Sequence, residues 1–358
     1  MNVDAVLLAS FGGPENPDEV MPFLERVTEG RGVPRERLEA VAEHYHALGG
    51  KSPINDQNRR LLGALRTEFA RRELETSIYW GNRNSAPFFV DALRQMHRDG
   101  HRRIVAIATS AYSSYSGCRQ YREDLARAVA RAGLVDQMTI MKVRPYAHQA
   151  GFTEPFAAGV TRALNELAAA GIDVADTHVL FTTHSIPVEQ AVTSGPEECR
   201  SSQRPGTYEK QHKDAAERVM KEAMANVGTA PNWSLAFQSR SGPPHAPWLT
   251  PDVHTAMTEL AAHGTTAVIV APIGFVSDHV EVVWDLDHEA AATAKHLGLD
   301  FRRVPTAGTD PAFVTMLTDL VQEIIDNTSP RPEPGSAPLC ARGCCPNPRT
   351  ELPTVIAC

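Results

Sequence analysis

Two rhythms of apolar and polar positions alternate along this chain. Short apolar runs near residues 4–9, 77–80, 103–108 and 138–143 read as buried strands, and between them the apolar spacing widens to that of helices, near 17–28, 35–47, 57–72, 88–98 and 119–132. In the third of those helices Leu61, Leu62, Leu65 and Phe69 form one apolar stripe, and arginines and glutamates take the outer face. Strands alternating with amphipathic helices predict a parallel sheet covered on both faces. The second half repeats the plan, with strands near 177–182, 233–238 and 267–271 and helices near 152–170, 207–226, 251–263, 281–296 and 310–326, although no sequence repeat links the halves. The expected fold is therefore α/β, with two similar doubly wound, Rossmann-like lobes and a cleft between them. The expected divisions are 1–150, 151–328 and a tail over 329–358. Pro145 and residues 147–151 mark the hinge, and the stretch rich in Pro, Gly and Ser at 329–338 is a linker.

Composition narrows this picture. A chain of 358 residues accommodates two domains. A net charge of −8 without a lysine- or arginine-rich run argues against nucleic acid as a partner. The N-terminus carries Asp4 and no basic segment, so it reads as a core strand rather than a secretory signal. No run approaches the roughly 18 apolar residues needed to cross a bilayer. A cytoplasmic location follows as the expectation, with any membrane contact peripheral and transient. Six cysteines are too few for a disulfide scaffold, and four of them fall between Cys340 and Cys358, which points to metal or redox chemistry.

The most informative stretch is Ala271-Pro-Ile-Gly-Phe-Val-Ser-Asp-His-Val-Glu-Val-Val-Trp-Asp-Leu-Asp-His-Glu289, which follows a buried strand. Glu281, Asp285 and Glu289 recur at every fourth residue, so a helix would stack three carboxylates on one face. Like charges in that arrangement repel by a few tenths of a kcal/mol per pair in water. A cation passing along the row, or protons held on it, would offset that cost. A solvated acidic face is the plain alternative, but the row starts at a strand end beside Asp278, His279 and Trp284, which favours a site. The strand at 177–182 leads to His184 and the next ends in Gln238-Ser-Arg-Ser-Gly242, so polar residues gather on one sheet edge, where open α/β sheets bind ligands. A neutral imidazole facing a carboxylate is a usable base near neutral pH and suits ferrous iron.

The first half contributes Ser10-Phe-Gly-Gly-Pro14, His44-Tyr-His-Ala-Leu-Gly-Gly-Lys-Ser-Pro-Ile54 and the hydroxyl-rich Thr109-Ser-Ala-Tyr-Ser-Ser-Tyr-Ser-Gly-Cys-Arg-Gln-Tyr121. Phe11-Gly12-Gly13 lacks the spaced glycines and the Lys-Ser/Thr of nucleotide loops. Neutral hydroxyl donors suit a ligand's carboxylates, or serve an ordinary polar loop. In the tail, Cys340, Cys344 and Cys345 have the crowding of zinc or iron–sulfur ligands, with a fourth to come from Cys118, Cys199 or Cys358.

Together, the segment from Leu7 to Pro14, Gly49-Gly-Lys-Ser-Pro-Ile54, Thr183-His-Ser-Ile-Pro187, Trp248-Leu-Thr-Pro-Asp252 and Pro272-Ile-Gly-Phe-Val-Ser-Asp-His-Val-Glu281 resemble the ferrochelatases, in order, over residues 3 to 327. The match is nearest to actinobacterial coproporphyrin ferrochelatases with a cysteine-rich extension. The resemblance implies insertion of Fe2+ into coproporphyrin III with release of two pyrrole protons. It implies His184 and Glu281 as the catalytic and metal-contacting pair, Asp285 and Glu289 as the row leading outwards, and Phe11, Tyr45, Ser52 and Tyr121 against the substrate. It also implies a [2Fe-2S] cluster on Cys118, Cys340, Cys344 and Cys345, with Cys358 as an alternative ligand, and a soluble monomer. Phe11 stands where related enzymes often carry tyrosine, and Thr28 and His44 where some carry arginine, so neither a phenolate ligand nor a cationic grip on propionates is implied. The rival readings are a chelatase for cobalt or nickel, one preferring protoporphyrin IX, and a non-catalytic porphyrin or haem carrier.

Overall fold

The computed structural model describes residues 3–227, 230–241, 246–326 and 343–357. In the first half, β1 (Ala5–Ser10), β2 (Ser77–Asn82), β3 (Arg103–Ala108) and β4 (Thr139–Lys142) pair in parallel, with Ala5 opposite Ser77 on one side and Ile104 on the other. In the second, β5 (Thr177–His184), β6 (Asn232–Gln238), β7 (Ala267–Ala271) and β8 (Asp300–Arg303) do the same, with Thr177 opposite Ala267. The tail then returns as β9 (Ile356–Ala357) along the free edge of β4. The strand orders are β2-β1-β3-β4-β9 and β6-β5-β7-β8.

Strands buried on both faces explain the unbroken apolar runs. Val6, Leu8, Val105 and Ile107 point into a core that continues through Phe152, Phe156, Phe181 and Phe313, so one apolar interior serves both halves. Ala5, Leu7, Ala9 and Ala106 face a separate layer with Leu93 and Leu125, and Leu180, Val268 and Val270 face another with Leu286. The last long helix, Pro311–Ile325, crosses back to the first lobe, where Arg72 meets Asp319 at 2.6 Å and Arg144 meets Glu323 at 3.0 Å.

β1 lies between β2 and β3, and β5 between β6 and β7. The winding reverses at both places, which opens a crevice at the strands' carboxyl ends. The anticipated elements occur within a few residues of their expected bounds. β8 and β9 were not anticipated, because Asp300-Phe-Arg-Arg303 contains one apolar residue and β9 is two residues long. The helix carrying the acidic row also differs: it opens as Val280–Val282, widens to π-helical winding over Val283–Ala290, and resumes as Ala291–Leu297. A second π turn, Tyr115–Arg119, holds Cys118 and runs into the helix Gln120–Ala132. Such turns are frequent at functional sites. The expected linker at 329–338, with Cys340 and Cys358, lies outside the described residues.

Candidate active site

His184 is the last residue of β5, and the chain after β7 passes close beside it. Gly274 makes that approach feasible, since a Cβ there would stand 2.1 Å from Thr183 Oγ1. The His184 Nδ1–H donates to the Ser185 carbonyl at 2.5 Å, which leaves Nε2 as the acceptor nitrogen, 3.8 Å from Glu281 Oε2. Burial pushes the His184 pKa below its ordinary value; the Ser185 carbonyl and Asp285 work against that, and Arg31 with it. The ring is therefore neutral at neutral pH. His279 Nδ1 approaches the same Glu281 oxygen at 4.0 Å, and burial lowers its pKa too.

Asp285 is the next carboxylate along the row. Burial, with the charges of Glu281 and Glu289 adding to it, lifts its pKa to about 6, although hydrogen bonds from Ser239 and Gln238 oppose the rise. Gln238 Nε2 donates to Oδ2 at 3.2 Å, and Ser239 Oγ donates to the same oxygen from a backbone held at φ 58°, a left-handed conformation unusual for serine. Glu289 ends the row, accepting from Trp284 Nε1 at 2.9 Å and facing His254 Nε2 at 3.6 Å. The three carboxylates thus differ in surroundings: Glu281 faces imidazoles, Asp285 is part-buried and held by neutral donors, and Glu289 lies near the surface.

The two lobes meet across this site. Trp284 stacks on His44 of the first lobe with ring centres 4.3 Å apart, Asp278 accepts and donates to Gln57, and Tyr112 Oη donates to the Ile273 carbonyl at 3.0 Å. On the first-lobe side, Phe11 follows β1 and packs edge-on against Phe23, 6.1 Å between centres. Tyr45, Ser52 and Tyr121 are buried, with 5%, 2% and 3% exposure, so their hydroxyls have little open surface. Tyr45 packs in one apolar cluster with Val280, the residue before Glu281, and burial followed by the charge of Glu281 raises its pKa.

The family pattern described as ferrochelatase matches residues 3–325. The chain belongs to the ferrochelatase family. It is 51% identical over 353 residues to the coproporphyrin III ferrochelatase of Streptomyces coelicolor, covering 96% of this chain and 93% of that protein. It is 45% identical to the protein of the same name from Mycolicibacterium smegmatis, covering 96% of each. Among solved structures, SirB from Bacillus subtilis with Fe3+ superposes with a TM-score of 0.50 at 13% identity, covering 92% of this chain and 97% of that one, a likeness of fold.

Cys118, Cys344 and Cys345 form a buried cluster of thiols that no disulfide joins, the sulfurs of the last two 3.8 Å apart, and the Gly195 N–H donates to Cys345 Sγ at 3.1 Å. Contact with Cys118 and Cys344, and then burial, pushes the Cys345 thiol well up. Among the described residues no group of three or more His, Cys, Asp or Glu side chains is arranged to hold a metal ion. The tail is anchored to both lobes. Arg122 Nε donates to the Val355 carbonyl at 3.1 Å and Asn347 to Glu123 at 3.0 Å on the first lobe, and the Cys345 N–H donates to the Gly195 carbonyl at 3.0 Å on the second. No helix among the described residues is long and apolar enough to cross a membrane.

Ser239 was legible only as part of the polar ending Gln238-Ser-Arg-Ser-Gly242; its bond to Asp285 was not. Arg83 was not legible, since its burial depends on packing rather than on local pattern.

Proposed function

We propose that this chain inserts ferrous iron into coproporphyrin III, yielding Fe-coproporphyrin (coproheme) in haem biosynthesis. The observation that carries the reading is the neutral His184 imidazole facing Glu281, with Asp285 and Glu289 behind, at the switch point of the second sheet in a ferrochelatase-family chain. Metallation exchanges two pyrrole protons for Fe2+, so the site must accept protons where the metal arrives. His184 Nε2 has a free lone pair for that step, and Glu281 beside it takes the proton on or hands over the metal. Asp285, with its pKa near 6, exchanges protons readily at neutral pH. A planar macrocycle presents its nitrogen lone pairs poorly to an incoming ion; binding energy from the rest of the ring can offset the distortion that turns them outward.

Residues 1–150 and 151–328 act in this reading as the two walls of the cleft, in a cytoplasmic monomer. The reading includes a [2Fe-2S] centre held by Cys118, Cys340, Cys344 and Cys345, with Cys358 in place of Cys344 or Cys345 as the alternative. What supports it is the burial of Cys118, Cys344 and Cys345 in one cluster, with a backbone N–H donated to the Cys345 sulfur. Such a cluster would supply a redox-active cross-link between the lobes and the tail. Its ligands would be the deprotonated thiolates of these residues. Cys118→Ser should abolish the visible absorption of anaerobically purified protein; an unchanged spectrum removes Cys118 from the ligand set.

The deciding experiment is anaerobic metallation of coproporphyrin III and protoporphyrin IX by Fe2+, followed optically. Faster turnover of coproporphyrin III supports the reading. Preference for protoporphyrin IX keeps the chelatase and discards the substrate, and tight binding of both without metallation identifies a carrier.

A further inference from the structure

His184 is held from behind by a chain of buried hydrogen bonds that the chemistry above does not use. The peptide linking His184 to Ser185 is pinned at both ends. Its carbonyl, that of His184, accepts from Tyr208 Oη at 2.9 Å, and its N–H, that of Ser185, donates to the Gln238 carbonyl at 2.7 Å. The next carbonyl, that of Ser185, is the one that takes the His184 Nδ1–H. The orientation of the imidazole therefore depends on a peptide plane, and the Tyr208 hydroxyl, from the helix Thr207–Val227, fixes that plane.

The direction of the bonds follows from His212, one helical turn after Tyr208. Its Nδ1–H donates to the Tyr208 carbonyl at 2.7 Å, so Nε2 carries a lone pair, and that nitrogen lies 2.8 Å from Thr183 Oγ1. Burial pushes the His212 pKa down to about 3, although the bond to the Tyr208 carbonyl works against it, so the ring is neutral at neutral pH. Thr183 thus donates its one proton to His212 and can only accept from Tyr208 Oη, 2.8 Å away. The Tyr208 proton is shared between Thr183 Oγ1 and the His184 carbonyl.

The first lobe supports the chain. Tyr112 lies flat on His212, with ring centres 3.5 Å apart and 9° from parallel, and its Oη donates to the Ile273 carbonyl in the loop after β7. The Ser113 N–H donates to Gln211 Oε1 at 2.8 Å, and Gln211 Nε2 donates back to Ser113 Oγ at 3.1 Å. Gly274 closes the arrangement on the other side, since a Cβ there would run into the Thr183 hydroxyl. Thr183 and His212 are fully buried and Tyr112 and Tyr208 nearly so, and polar groups cut off from water in this way are stabilising only while each keeps its partner. Packing alone would be served as well by apolar side chains; a hydroxyl aimed at the His184 peptide is not.

We propose that Tyr208 is a positioning residue for His184: its hydroxyl, aimed by Thr183 and His212, fixes the His184–Ser185 peptide and with it the direction of the Nε2 lone pair towards Glu281. The inference rests on the reading that His184 acts on a porphyrin held in this cleft. Tyr208 and its partners touch neither ring nor metal in that reading; they determine which imidazole nitrogen is free and where it points.

The test is Tyr208→Phe, which keeps the aromatic ring and removes the hydroxyl, read in two ways. In metal-free, porphyrin-free protein labelled with nitrogen-15 histidine, wild type should show His184 as the Nδ1–H tautomer, identified by the signal lost in His184→Asn. Tyr208→Phe should mix the two His184 tautomers and leave the His212 tautomer as it is. In anaerobic metallation of coproporphyrin III by Fe2+, kcat should fall roughly tenfold with the porphyrin KM within about twofold, since a misaimed group costs rate rather than binding. An unaltered His184 spectrum overturns the proposal whatever the rate does, and so does an undiminished kcat. A raised KM with both tautomers unchanged marks Tyr208 as packing only, and likewise overturns it. Should Tyr208→Phe fail to fold, Thr183→Val and Thr183→Ser carry the same readouts: recovery by serine of most of what valine loses supports the chain, and equal behaviour of the two overturns it. A tautomer shift in a chain whose wild type metallates no porphyrin would sink the proposed reaction and leave the positioning of His184 standing.

Discussion

At the carboxyl ends of β5 and β7 the chain presents His184, His279, Glu281 and Asp285; at those of β1 and β2 it presents Phe11 and Arg83, with Tyr121 beneath. Both edges arise from the same winding reversal in similar sheets, but their chemistry is opposite. The second-lobe edge consists of carboxylates and two imidazoles held neutral by burial. The first-lobe edge consists of an aromatic ring, buried hydroxyls and a guanidinium paired with Asp124. One wall is suited to the reacting centre of a ring and the other to its periphery, and a flat anionic substrate between them would meet both at once.

The strongest way to break this division is Glu281→Gln, which keeps the shape and removes the proton acceptor. Turnover should fall by roughly two to three orders of magnitude, about 3–4 kcal/mol in the barrier, with porphyrin affinity within a few-fold of wild type. Unaltered metallation by this variant would move proton transfer away from the second-lobe edge. Loss of binding along with turnover would show that this edge also grips the ring.

Asp285 sharpens the same contrast through stability. Its carboxyl is lifted from the ordinary 3.8 to about 6, so folding must bury a charge once the pH exceeds that value. The penalty is absent below the ordinary value, grows as the pH rises from there to the folded one, and is fully present above it, where it is worth roughly 3 kcal/mol, less what solvent screening removes. Asp285→Asn should therefore be no more stable than wild type near pH 4 and more stable near pH 8, as measured by urea unfolding across that range. A stability difference that is flat with pH would mean a solvated carboxylate, and the row would then be an ordinary acidic helix face.

The contrast also explains what the sequence could disclose. His184 was readable because neighbouring strands of the second half also end in polar residues on the same sheet edge, and the acidic row because its spacing repeats. The two sheets followed from unbroken apolar runs such as residues 267–271. Arg83 was not readable, since Asn82-Arg-Asn-Ser85 looks like any polar turn and the guanidinium becomes buried only when Phe11 and Tyr121 close over it. The π turns were hidden because the apolar spacing of Val282 and Leu286 fits an α-helix equally well. The return of the tail as β9 depends on the open edge of β4 and on Arg122, about two hundred residues away in sequence, which no local pattern records.

The smallest effect expected is at the rim, where the two walls touch through His44 and Trp284. The rings are stacked 10° from parallel, and Trp284 is held further by Glu289 and by His288, 5.3 Å away. An aromatic stack of this kind is worth about 0.5–1.5 kcal/mol beyond the area it covers. His44→Ala should thus lower the melting temperature by roughly 1–3 °C in a chain of this size. It should also shift tryptophan emission to the red as Trp284 gains water, because His44 covers one face of the indole. Turnover should change less than in Glu281→Gln, since no proton or metal step runs through His44. If turnover instead fell as far as in that variant with stability unchanged, the rim would control access to the acidic row, and the distinction between the reacting edge and the gripping edge would have to be redrawn to include the contact that joins them.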